Sequence, residues 1–393
     1  MEPLPDFRLE VYLGKWEFAA RHHLTASDAQ TRSVAEVLGP EGMEELAALP
    51  LGYTPTWGAD ALREAIAATY EAIAPEDVLT FAGAEEAMFW ALQELVGPGD
   101  HAIVTVPNYQ STESLPRATG AAVSGLALRP EDGWALDLDA LRALLRPETR
   151  LVAVNFPNNP TGALPDPETW AALVALCDER GIRLFSDEVY RGLEPDGTAP
   201  LRQAADASPS ALSLGVMSKA YGLPGLRIGW LACRDRALLA RLETRKHYTT
   251  ICNAAPSELI ATYALRRGDE LKARNRAIIE RNVPAFEACF AAHADLLSWE
   301  RPQAGCVSFP RYLGPDGVDA FCRDLVEQAG VVLLPASIYA SDLGPVPVDR
   351  FRIGVGRADP EPALAAFSAF LAERDGPGPA AAAPVQGAGE LRH

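Results

Sequence analysis

Lys219 follows Ser218 at the end of the apolar run 211–216, and Arg227 stands eight positions later, beyond Gly222 and Gly225. A lysine amine leaving a buried strand forms a Schiff base with an aldehyde when burial or nearby cations lower its pKa. A solvated lysine and a helix-end arginine account equally for the pair if each is taken alone. Asp187 sits at the end of a second apolar run, 183–185 extended by Ser186, with Tyr190 three residues on. A carboxylate buried there needs a cationic or hydrogen-bonding partner, such as a protonated ring nitrogen. The competing reading is an N-cap for the helix that would follow. Asn158-Asn159-Pro160-Thr161-Gly162 closes a third run and reads either as a turn or as a set of binding amides. Tyr109 stands just after a fourth, which Pro107 ends.

The elements that must carry these residues are legible as an alternation. Leu62, Ile66, Tyr70 and Ile73 share one face of a helix expected over 61–73. A second helix is expected over 85–96, closed by Gly97-Pro98-Gly99-Asp100. Asp166 followed by Pro167 opens a third, running to Gly181. Short helices are expected over 33–38 and 42–49. Between them lie strands at 102–106, 151–155, 183–185 and 211–216, mostly apolar and without polar alternation. Such strands are buried on both faces, so the fold is α/β with a mainly parallel sheet. Ligands bind beyond the carboxyl ends of parallel strands, which is where the reactive residues fall. Four strand exits are expected to converge on one rim.

Composition narrows the ligand. The chain of 393 residues is 48% hydrophobic and 22% charged, the balance of a folded protein of two to three domains at about 150 residues each. Its 53 acidic against 35 basic residues leave a formal charge of −18, which argues against nucleic acid or an anionic membrane as partner. The sequence has neither a G-x-x-x-x-G-K-[ST] nor a G-x-G-x-x-G loop, so nucleotide-binding folds lose their main support. Cys177, Cys233, Cys252, Cys289, Cys306 and Cys322 form no ligand spacing, and no metal site is expected. Without a basic, apolar leader or a run of 18 apolar residues, the chain is expected in the cytoplasm. The Gly/Pro/Ala-rich segment 375–393 is expected to be a disordered tail.

Seven motifs in order resemble the class I/II aminotransferases of fold type I, which use pyridoxal 5′-phosphate (PLP). They are Tyr53 with Gly58 and Leu62-Arg63, Gly83-Ala84-Glu85-Glu86-Ala87, Pro107-Asn108-Tyr109, Asn159-Pro160-Thr161-Gly162, Asp187-Glu188-Val189-Tyr190, Ser218-Lys219 with Arg227, and Phe351-Arg352-Ile353. The resemblance implies that Lys219 holds PLP as an internal aldimine and carries the proton at Cα. Asp187 would keep the pyridine nitrogen protonated, Asn159 and Tyr190 would bond the ring hydroxyl oxygen, and Tyr109 would stack on the ring. The phosphate would be held by backbone donors at Gly83, Ala84 and Glu85 with Ser218 and Arg227, and Arg352 and Asn159 would contact the substrate, Arg352 gripping its carboxylate.

A tyrosine matching Tyr53 reaches the neighbouring subunit's phosphate in this family, so a homodimer with composite sites is implied. The implied reaction moves an amino group from an L-amino acid to a 2-oxo acid. The alternative is cyclisation, elimination or oxidation of an arginine-type amino acid on the same framework; a non-catalytic regulator is a third. The implied architecture is a three-layer large domain over 52–282 and a smaller α+β domain formed by 1–51 with 283–374. In the latter, Gly305 reads as a turn and 306–309 as a strand stopped by Pro310.

Two departures stand out. Val216 occupies a position where many members place a second phosphate-binding serine. Ala26-Ser27-Asp28 stands where a glycine usually forms the substrate wall, so Ser27 and Asp28 either face the substrate or cap a helix. The acidic excess is expected on the outer surface, around a small basic pocket.

Overall fold

Every side chain of β2 (His101–Val106) is buried, as are all four of β1 (Val78–Phe81). Strands of this kind need cover on both faces, and helices supply it in a computed structural model that describes residues 3–375. The expected tail lies outside the described residues except for Asp375. The central sheet continues with β3 (Ala122–Ala127), β4 (Thr149–Asn155), β5 (Arg183–Asp187), β6 (Leu212–Val216) and β7 (Gly229–Ala232). Their spatial order is β1-β7-β6-β5-β4-β2-β3. Neighbours from β3 across to β6 run parallel, whereas β7 is antiparallel to both β6 and β1. The carboxyl ends of β1, β2, β4, β5 and β6 therefore share one edge, and β7 begins there.

Three strands of this sheet were not anticipated. β1 and β7 have only four residues each, too few to show a period. β3 is the sheet edge, half-exposed and interrupted by Ser124 and Gly125. The helices α1 (Arg8–Trp16), α2 (Val34–Ala48), α3 (Asp60–Ala67) and α4 (Ala84–Leu95) lead into and through the first crossover. In α2 the two expected helices join across a kink, where Gly39 takes φ 66° ahead of Pro40. Ser33 and Glu36 close its N-terminus as a reciprocal capping box.

The helix expected over 61–73 stops at Ala67. The carboxylate of Asp206 explains the early end, since it accepts from the backbone N–H groups of Glu71 and Ala72 at 2.7–3.0 Å. A distant side chain thus takes donors that a longer helix would have used itself. Leu62, Ile66 and Ile73 are nonetheless buried. By contrast, α5 (Pro167–Arg180) has the expected Asp166 cap, proline first position and left-handed Gly181.

Beyond the long α6 (Gly268–Ala292), the chain builds a smaller antiparallel sheet. Its central strand β8 (Phe351–Gly354) pairs with Val307–Ser308 on one side and Leu334–Pro335 on the other. The N-terminal segment joins this region, since His22–His23 pairs in parallel with Val331–Val332. Among the described residues, no helix is long and apolar enough to cross a membrane.

Candidate active site

A cavity of about 1000 Å³ opens at the shared edge of the large sheet. Ala84, Glu85, Tyr109, Asn159, Asp187, Tyr190, Ser218, Lys219, Arg227 and Arg352 all line it, so the strand exits converge as expected. Gly83 stands directly behind this wall, as the N-cap of α4. Tyr53 does not join them: it is 92% exposed and points away from this chain's cavity. Val216, in place of the second serine, also contributes to the lining.

Backbone geometry prepares one end for an anion. Gly83 has φ 91° and no side-chain cap, which leaves the first N–H groups of α4 without intrahelical acceptors. A Cβ on Gly83 would lie 2.5 Å from Arg227 Nη2, and one on Gly229 would lie 2.6 Å from the Gly83 carbonyl carbon. Two glycines thus let the helix N-terminus and the guanidinium meet. Arg227 itself holds a left-handed backbone (φ 52°), with Nη1 donating to the Pro224 carbonyl at 3.2 Å. Ser218 adds a hydroxyl to the same lining. Helix N-terminal donors, a hydroxyl and a guanidinium are a phosphate-binding set.

The middle of the cavity holds a carboxylate in want of a cation. Asp187 is buried at the end of β5, and burial pushes its carboxyl up to about 7 against the opposing effects of the Val189 N–H and Lys219. Its Oδ1 accepts from Val189 N at 3.2 Å. No helix follows, so the capping alternative is excluded. Tyr190 Oη is buried with no hydrogen-bond partner among the described residues. Asn159 Oδ1 accepts from Arg352 Nη1 at 3.2 Å and Tyr339 Oη at 3.3 Å, which leaves its Nδ2 free to donate. These unsatisfied groups fit a pyridine ring with a protonated nitrogen and an exocyclic oxygen, as PLP has.

Arg352 is a second cation on the cavity wall. It is 2% exposed on β8, bonded to the Thr25 carbonyl at 2.9 Å, and it has no carboxylate partner among the described residues. A buried, unpaired guanidinium is costly unless an anion arrives. Burial also lowers the pKa of Lys219, with Arg352 acting in the same direction and Asp28, Cys306 and Asp187 opposing. Its Nζ donates to Ser27 Oγ at 2.9 Å.

The sequence reading left several lining residues outside the site. Ser27 faces Lys219 and caps no helix, while Asp28 pairs with Arg357 at 2.7 Å. Thr25, Arg357 and the α1 residue Glu10, together with Glu17 just beyond that helix, were not singled out. The departure from glycine at 26–28 was the available signal for Ser27. Nothing local marks a helix 200 residues from Lys219 as a cavity wall. Nor is the pocket simply basic: Lys219, Arg227, Arg352 and Arg357 share it with Glu10, Glu17, Asp28, Glu85 and Asp187.

This fold and site define a fold type I PLP-dependent enzyme. The family description "Aminotransferase class I and II" matches residues 39–366, and the chain belongs to that family of PLP-dependent aminotransferases. It is 34% identical to capreomycidine synthase of Streptomyces vinaceus over 94% of this chain and 95% of that one. It is 32% identical to arginine–pyruvate transaminase of Pseudomonas aeruginosa over 77% of each. Among solved structures, the PLP-dependent cyclase OrfR superposes with a TM-score of 0.86 at 28% identity, covering 95% of this chain and 99% of that one.

Proposed function

We propose that the enzyme takes the amino group of an L-amino acid with a cationic, arginine-type side chain and passes it to a 2-oxo acid. The observation that carries this reading is one cavity with a buried, unpaired Arg352 and two unpaired carboxylates supplied from α1 and the turn after it. Arg352 fits the α-carboxylate, by a bidentate pair that orients Cα. Glu10 and Glu17 have no ion-pair partner among the described residues and suit a guanidinium or ammonium group. The name of the arginine–pyruvate transaminase relative supports the same substrate class.

PLP, when bound, supplies an aldehyde for the lysine and a ring that accepts electron density from Cα. Lys219 would hold that aldehyde, and its freed amine would move the proton between Cα and the cofactor carbon. Asp187 would keep the ring nitrogen protonated. Asn159 and Tyr190 would hold the ring oxygen, and Tyr109 would cover the ring face. Gly83, Ala84, Glu85, Ser218 and Arg227 would hold the phosphate.

The second reading is cyclisation, elimination or oxidation of the same kind of substrate. It is favoured by the capreomycidine synthase and cyclase likenesses and by the polar wall at Ser27. Absorbance with a panel of amino acids separates the two. Loss of the visible band with L-arginine, restored by pyruvate, is expected. Ammonia release or a cyclic product would select the second reading, and faster reaction with L-aspartate than with L-arginine would overturn the cationic substrate. Lys219→Ala is expected to abolish the internal-aldimine band.

The exposed Tyr53 supports a homodimer in which it completes the partner's phosphate site. We also propose the division into a large domain over 52–282 and a small one over 1–51 with 283–374. The pairing of His22–His23 with Val331–Val332 supports it, although residue 282 falls inside α6.

A further inference from the structure

The segment 24–29 is tied down from several sides. Gly354 N donates to the Leu24 carbonyl at 2.7 Å, and Arg352 donates to both the carbonyl and the hydroxyl of Thr25. Gly354 leaves no room for a Cβ against the Ala26 backbone. Asp28 is held by Arg357, Cys306 Sγ lies 3.4 Å from the Ser27 carbonyl, and Ala29 N donates to the Lys219 carbonyl at 3.3 Å. Ser27 therefore cannot drift, and its hydroxyl is the one side-chain acceptor for Lys219 Nζ among the described residues. The same hydroxyl is an electrostatic neighbour of Tyr190 Oη, which makes no hydrogen bond among the described residues. A glycine at this position would offer neither contact.

We propose that Ser27 is a positioning residue for Lys219, a hydroxyl that holds the amine whenever it is free of the cofactor and keeps it aimed at the reacting carbon. This rests on Lys219 being the residue that links PLP. The hydrogen bond favours the charged amine. The other groups around Nζ are Asp28, Asp187 and Cys306, which act in the same direction, and Arg352, which opposes, as burial does. Tyr190 is the remaining titratable neighbour of the hydroxyl. Removing the hydroxyl leaves these groups in place, so its effect can be read separately.

The test is competitive acylation of the apoenzyme across pH, with Lys219 followed by peptide mass spectrometry. Ser27→Ala and Ser27→Gly are expected to lower the Lys219 midpoint by about one unit, and Ser27→Thr to retain it. In the loaded enzyme, Ser27→Ala should reduce kcat for the half-reaction roughly tenfold with KM for the amino acid nearly unchanged, and Ser27→Thr should restore it. An unchanged midpoint in Ser27→Ala would overturn the proposal. So would a raised KM at constant kcat, which would make Ser27 a substrate contact instead. If the Lys219→Ala variant retained the internal-aldimine band, the assignment of Lys219 itself would fall. That outcome is distinct from a failure confined to the Ser27 variants.

Discussion

At the scale of single residues, the cavity holds two buried charged groups, Asp187 and Arg352, that have no ion-pair partner among the described residues. Asp187 is the sharpest case. Burial pushes its carboxyl up to about 7, above the usual 3.8, against the Val189 N–H and Lys219. A raised folded-state pKa means that the native state binds more protons than the unfolded chain between these values. Stability from this group is therefore present at low pH and lost as pH rises from about 4 to 7. Asp187→Asn is thus expected to raise the thermal midpoint of the apoenzyme at pH 7.5 by a few degrees. Adding PLP should reverse the order, because a ring cation stabilises only the wild-type carboxylate. Calorimetry of both proteins with and without PLP checks this, and a wild type that is the more stable in both states would refute it. At Arg352, replacement by Lys removes the bidentate fork while keeping the charge. We expect kcat/KM for the amino acid to fall about 100-fold, mostly through KM, in steady-state assays.

At the scale of elements, the proposed phosphate end depends on how closely α4 approaches the start of β7. Gly229→Ala would push a methyl group into the Gly83 carbonyl carbon and the Ala84 nitrogen at 2.6–2.7 Å. The helix N-terminus must then move away from Arg227. PLP affinity is expected to drop tenfold or more by fluorescence titration, whereas binding of pyridoxal, which lacks the phosphate, should change little. Equal losses for the two would show that the substitution disturbs the ring site instead. The same level explains why element boundaries escaped the sequence. The end of α3 is decided by Asp206, more than 130 residues away, and no pattern near Ala67 announces it. The capped α5 carried its own punctuation and was readable end to end.

At the scale of the whole molecule, Leu51, Tyr53 and Tyr248 are large apolar side chains left 84–92% exposed. The proposed homodimer would cover them. Light scattering is expected to give a mass of twice 42.1 kDa. Tyr53→Phe should weaken PLP binding without dissociating the dimer, and a monomer with full PLP affinity would exclude a composite site. The −18 charge likewise takes its meaning at this scale. It spares the protein polyanionic partners, yet acidic groups also enter the cavity, where the proposed substrate would meet Glu10 and Glu17.

What the sequence determined by itself was the fold class and the reactive residues at strand ends. Short apolar runs without alternation, set between helical patterns, read as strands buried on both faces, and in a parallel sheet the groups that follow them gather at one edge. Lys219, Asp187 and Asn159 were legible for that reason, Arg227 by its spacing from Lys219, and Arg352, inside β8, only through the family resemblance. Only the tertiary structure brought Ser27 to the Lys219 amine, set Glu10 on the cavity wall and turned Tyr53 away from it. Those placements depend on long-range packing of the N-terminal segment against β8 and the sheet edge. Local spacing along the chain holds no record of such contacts.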